Sequence, residues 1–140
     1  VNKGEAGEKA FDQVSAEEWQ SSYWEVEEFH ADVVVIRLGE NIPGEKLELP
    51  DIKQYIMEMI DFFSSSAKQV IVTDNFWRRD ALDRIFEEIC REKDYIFCRI
   101  SDISEDKKTM ALGQFEHEGV AIHPSDYGME MIAKRIVSKI

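Results

Sequence analysis

Two cysteines, no long apolar run and a shortage of basic residues already narrow what this chain can be. A helix that crosses a bilayer needs about 20 consecutive apolar residues, and nothing here approaches that length, so no membrane partner is expected. The opening residues lack the basic-then-apolar order of a secretory signal. Lys and Arg number 17 against 29 Asp and Glu, a net charge of -12. Such a surface repels phosphate backbones, so nucleic acid is not an expected partner. The acidic surplus serves solubility and does not choose among neutral ligands, metals and protein partners. Cys90 and Cys98 sit among apolar neighbours in an expected helix and an expected strand, which reads as two buried free thiols. Their spacing does not argue for a disulfide, and no CxxC or His/Cys cluster suggests structural zinc. Internal repeats and low-complexity tracts are also missing.

What remains is the composition of one folded domain: 140 residues, 44% hydrophobic and 11% aromatic, enough to bury a single core. Residues 1–14, polar and glycine-bearing at their start, read as a flexible leader. From Ser15 to Phe29 the pattern turns helical, with Trp19, Tyr23 and Val26 at spacings of four and three and Ser15/Glu18 as a capping box. Val33 to Leu38 is an apolar, β-branched run, the habit of a parallel strand buried on both faces. Helices are expected over Pro50–Ser65, Arg79–Lys93 and Asp126–Ile140, and strands over Gln69–Thr73 and Tyr95–Ile100. The first of these helices has its apolar stripe on Ile52, Tyr55, Ile56, Met59, Ile60 and Phe63; the last is expected to bury Met129, Ile132, Ala133, Ile136, Val137 and Ile140. A long loop, Ser101–Pro124, precedes the last helix. Strands alternating with amphipathic helices specify the α/β class, a parallel sheet between two helical layers. Three strands make a narrow sheet, and the run at 33–38 calls for neighbours on both sides, so the sheet is expected to lack strands on its N-terminal side.

Ligands of parallel sheets bind beyond the carboxyl ends of the strands, and three segments fall there. Leu38-Gly39-Glu40-Asn41 follows the first strand; Gly39 permits close backbone approach, and the Asn41 amide is a neutral donor suited to a developing oxyanion. A plain Gly-Asn turn that ends the strand accounts for the same residues. Thr73-Asp74-Asn75-Phe76-Trp77 follows the second strand, its aromatic pair either lining a substrate pocket or capping the core. The third segment runs from Glu116 to Asp126. There Pro124 holds His123 extended, Ser125 or Asp126 caps the helix, and Gly128 lets its first turn pack closely. A histidine on so rigid a loop suits a general base, or it merely satisfies a loop carbonyl. Glu116, His117, Glu118 and His123 match no strong metal-ligand spacing.

Together these segments resemble the SGNH/GDSL hydrolases. In that family a serine follows the first strand, a glycine the second and an asparagine the third, and a histidine precedes the last helix. Asp32 to Asn41 resembles the asparagine block, with Ile42 where a final Asp is common. His123-Pro124-Ser125-Asp126-Tyr127-Gly128 resembles the histidine block, and two βα units lie between them, so the likeness covers residues 16–140. The resemblance implies a flavodoxin-like three-layer fold lacking its first two strands, with 15–140 as the C-terminal part of the domain. It implies a serine esterase or acyl-hydrolase acting on small acyl or carbohydrate esters, with no cofactor and no metal. His123 would be the general base and Asn41 the oxyanion donor; Gly39, Phe76 and Trp77 would contact substrate. Two departures stand out. The family's acid lies three residues before the histidine, where this chain has Val120, so Glu118, Glu116 or a backbone carbonyl would have to orient the imidazole, Glu118 being the preferred candidate. No strand–Gly-Asp-Ser segment precedes residue 32, so the nucleophile would come from upstream sequence and this chain alone would be silent. The alternative is a non-catalytic binding or interaction module derived from a hydrolase. An uncovered first strand would also favour a homodimer through its edge.

Overall fold

The computed structural model describes residues 28–40 and 42–140. The leader expected at 1–14, nearly all of the helix expected at 15–29, and Asn41 lie outside the described residues. Three strands, β1 (Val33–Ile36), β2 (Gln69–Thr73) and β3 (Ile96–Cys98), form a parallel sheet in the order β1-β2-β3. Val33 is in register with Gln69, and Ile71 with Ile96. Parallel neighbours require a crossover, and each is a helix: α1 (Ile52–Phe63) between β1 and β2, α2 (Asp80–Lys93) between β2 and β3.

Side chains alternate across a strand, and β2 uses both faces. Val70 and Val72 join Ile56, Met59 and Ile60 of α1 and Leu82, Phe86 and Ile89 of α2 in one core. Ile71 points the other way, into a second core with Phe76, Cys98, Ile100, Ile103 and Ile132. Ile132 belongs to the last helix, α4 (Asp126–Val137), so helices cover both faces of the sheet. Ile56, Ile60, Leu82 and Phe86 are fully buried, each contributing about 1.5–3 kcal/mol over an exposed position. Cys90 lies in the first core and Cys98 in the second, and both are free thiols. Burial pushes the Cys90 thiol up to about 11.

The structure departs from the sequence expectations in four places. β1 is an edge strand among the described residues, in keeping with a sheet short of strands on its N-terminal side, but its faces are not both buried: Val35 is 41% exposed. A β-branched run marks a strand, but neighbours decide whether that strand is covered. Of the six apolar residues expected inside at the last helix, only Ile132 is fully buried and Ile136 is half-buried, while Met129, Ala133 and Val137 of α4 and Ile140 beyond its end face outward. The stripe is wider than the strip of sheet beneath it. Tyr55 of α1, expected within the buried stripe, is half-exposed for a similar reason. The segment expected as one long loop instead carries short 3-10 turns at Ser101–Glu105 and Lys107–Thr109 and a helical turn, α3 (Glu118–Ala121).

Candidate functional site at the carboxyl ends of the strands

The turn after β1 is built around Gly39. Its φ is +105°, and a Cβ there would stand 2.8 Å from Leu82 Cδ2, so both backbone and packing demand glycine. The turn is held from across the sheet. Arg79 Nη1 donates to the carbonyls of Gly39 (2.7 Å) and Glu40 (3.2 Å), and Nη2 to that of Ile42 (2.5 Å). A guanidinium presents donors in a fixed fork, here spread over three carbonyls. Glu40 returns the connection: its Oε1 accepts from Phe76 N–H and from Arg37 Nη2, each at 3.3 Å. The first two segments are thereby tied together by Arg79 and Glu40, neither of which has a motif that would reveal it in sequence.

Asp74, the first residue after β2, is 1% exposed. Its Oδ1 accepts from Ile100 N–H (2.5 Å) and Ser101 N–H (3.1 Å), and its Oδ2 from the Ser101 hydroxyl (2.7 Å). One carboxylate thus joins the ends of β2 and β3 and starts the turn that follows. Phe76 is fully buried in the second core and offers no face to a substrate. Its ring instead supports Trp77, edge to face at 5.6 Å and 77°.

Trp77 in turn meets the exposed imidazole of His123, with ring centroids 4.8 Å apart and planes at 88°. The backbone of His123 is pinned: its carbonyl accepts from Ala111 N–H (3.0 Å), its N–H donates to Val120 O (3.1 Å), and Met110 bridges to Pro124 beside it. Ser125 N–H donates to Thr109 O (2.8 Å), and Ser125 Oγ accepts from Gly128 N–H (3.2 Å), a helix cap as its position suggests. Gly128 packs so closely on this loop that a Cβ would stand 2.1 Å from Thr109 O. Glu118 and Glu116 are exposed, and no hydrogen bond or ion pair joins either to His123 among the described residues. Val120, three residues before His123, is 44% exposed. The imidazole's neighbour is an indole, not a carboxylate.

Among the described residues, the buried side-chain polar atoms without a partner are Arg37 Nε, Thr73 Oγ1, both amide atoms of Asn75, Trp77 Nε1 and Asp83 Oδ1. All lie at the carboxyl end of the sheet or in the first turn of α2 facing it. Buried polar groups are normally paired, and each orphan costs about 1–3 kcal/mol, so this end of the molecule is polar in excess of what folding requires. Burial raises the Asp83 carboxyl above its ordinary range, opposed by the Arg79 N–H that it accepts at 3.0 Å. Asn75 lies beside it and also favours the charged form, although no hydrogen bond of good geometry joins the two side chains. A shallow groove of about 390 Å³ opens at the start of α2, where Arg78, Arg84 and Arg99 alternate with Asp80, Asp83 and Glu87; it contains none of the residues expected as a site. No group of three or more His, Cys, Asp or Glu among the described residues is arranged to hold a metal, and none of their helices is long and apolar enough to cross a membrane. No family model, no curated protein and no solved structure matches this chain.

Proposed function

We propose that the chain is the asparagine- and histidine-bearing part of an SGNH/GDSL-type serine esterase, acting on small acyl or carbohydrate esters, with its serine supplied by upstream sequence. The observation that carries this reading is His123: an exposed imidazole on a backbone pinned at Ala111 and Val120, set against Trp77 at the carboxyl end of a parallel sheet. In the proposed reaction the serine oxygen attacks the ester carbonyl while His123 takes the serine proton. Asn41, between Glu40 and Ile42 in sequence, would donate to the oxyanion as a neutral amide. His123 then returns the proton to the leaving alcohol, and water releases the acyl group by the same route. Trp77, half-buried beside the imidazole, is the surface on which a sugar ring or acyl chain would rest.

The second reading, a non-catalytic module, is favoured by Val120 in place of the acid and by the lack, among the described residues, of any carboxylate bonded to His123. One experiment separates the two. The coding sequence upstream of Val1 is read, the extended chain is expressed, and hydrolysis of p-nitrophenyl acetate is measured. The esterase reading expects the 140-residue chain to be silent and the extended chain active. His123→Ala should then cost roughly 10³-fold or more in kcat, and Asn41→Ala about 10²–10³-fold. An extended chain that folds, contains no strand–Gly-Asp-Ser segment and hydrolyses nothing would leave the interaction module standing.

A further inference from the structure

The loop that carries His123 is closed at its base. Met110 bridges antiparallel to Pro124, and Ala111 N–H donates to the His123 carbonyl, so residues 111–123 leave the fold and re-enter it at one place. Compact loops with joined ends often carry function. This one turns four large apolar side chains outward, Leu112, Phe115, Val120 and Ile122, each between 42% and 54% exposed. Single apolar side chains scattered on a surface need no explanation, but several gathered on one pinned loop mark a place where something apolar binds. The loop is continuous with the histidine site: Ile122 precedes His123, and the Val120 carbonyl accepts the His123 N–H at 3.1 Å.

Two features choose the occupant. Trp77, which meets the His123 ring at 4.8 Å, is half-buried, and its only polar side-chain atom, Nε1, is among the buried ones. What the indole shows at the surface is therefore carbon; it offers no hydrogen bond to a sugar hydroxyl. From 109 to 133 the chain contains no Lys or Arg, while Glu116, Glu118, Asp126 and Glu130 are exposed. Anionic lipid headgroups and free fatty-acid carboxylates are repelled from such a surface. An uncharged apolar chain is what both features admit.

Resting on the esterase reading, we propose that the loop 111–123 receives the acyl chain of an uncharged ester, with Phe115 and Ile122 setting a preference for longer acyl chains over acetylated sugars. Binding to the 140-residue chain tests this without a serine. Butanamide, hexanamide and octanamide, uncharged and not esters, are titrated while nuclear magnetic resonance follows residues 111–123 and the Trp77 indole. Affinity should rise about two- to fourfold with each added CH2. Phe115→Ser or Ile122→Ser should weaken octanamide binding roughly tenfold with little change in melting temperature, since both side chains are exposed. Val137→Ser is the control and should change nothing: it is exposed near Lys139, whose carbonyl accepts from Gln69 at the start of β2, the other end of the sheet. Affinity independent of chain length, unmoved loop resonances, tighter binding of N-acetylglucosamine or octanoate than of octanamide, or variants equal to the parent would overturn the proposal. So would self-association through the loop, seen as twice the 16.3 kDa of one chain for the parent and a single-chain mass for Phe115→Ser. Hydrolysis by the extended chain is read separately. Octanamide binding without hydrolysis keeps the loop as a site for an apolar chain and removes the esterase reading; hydrolysis without octanamide binding does the reverse.

Discussion

Gly128→Ala tests how the loop that carries His123 is held. An added Cβ would stand 2.1 Å from Thr109 O and 3.3 Å from Pro124 Cβ, and the first contact is with backbone, which cannot turn aside as a side chain can. Relief requires the first turn of α4 to move off the loop, and the same carbonyl accepts the Ser125 N–H at 2.8 Å. Overpacking of this kind costs about 1–3 kcal/mol, and losing the Ser125 bond adds about 1 kcal/mol. Replacing a helical glycine by alanine returns up to about 1 kcal/mol. The net is a destabilisation of about 1–3 kcal/mol. Unfolding entropy of about 2.1 cal/mol/K per residue makes each kcal/mol worth roughly 3–4 °C here, so Tm should fall by about 3–10 °C in a thermal melt followed by circular dichroism. Gly44→Ala, where a Cβ meets nothing within 4 Å, is the matched control and should lie within about 0.5 kcal/mol of the parent. Nuclear Overhauser contacts between the His123 and Trp77 rings should weaken in Gly128→Ala and persist in Gly44→Ala. Equal melting temperatures for the two variants, with those contacts intact, would refute the packing described here.

Three further outcomes follow from the same end of the sheet. Asp74→Ala strands the N–H groups of Ile100 and Ser101 and the Ser101 hydroxyl, and should cost about 3–5 kcal/mol in urea unfolding; Asp74→Asn, which keeps one acceptor oxygen, should cost less. Arg79→Ala should speed amide exchange in the turn at 39–42, and Arg79→Lys should not rescue it, because a single ammonium does not span three carbonyls; unchanged exchange would rule out the clamp. The Asp83 carboxyl, raised above its ordinary 3.8 chiefly by burial, holds its proton more tightly folded than unfolded. Its contribution to stability is therefore present below 3.8 and is lost as pH rises through the higher folded value, so Asp83→Asn should remove a component of stability that declines with pH in that window.

Residue order alone determined the α/β class. Periodicity located α1 and α2 to within two residues, because an amphipathic stripe needs only its own segment to be legible. The apolar run at β2 marked a strand for the same local reason, and Pro124, Ser125 and Gly128 announced the rigid entry into α4. The interior of the segment 101–124 was not legible: its turns depend on Asp74, 26 and 27 residues away in sequence, accepting from Ile100 and Ser101.

Only the tertiary structure decided which of these residues meet. Arg79 and Glu40 carry no motif, yet they join the β1 and β2 turns, since a clamp of this kind is defined by where carbonyls converge in space. Phe76 and Trp77 are adjacent aromatics with the same sequence signal, and packing sent one into the core and left the other against His123. The outward side chains of α4 and Val35 of β1 read in sequence as buried, because hydrophobicity records what a surface prefers and only neighbours determine what covers it.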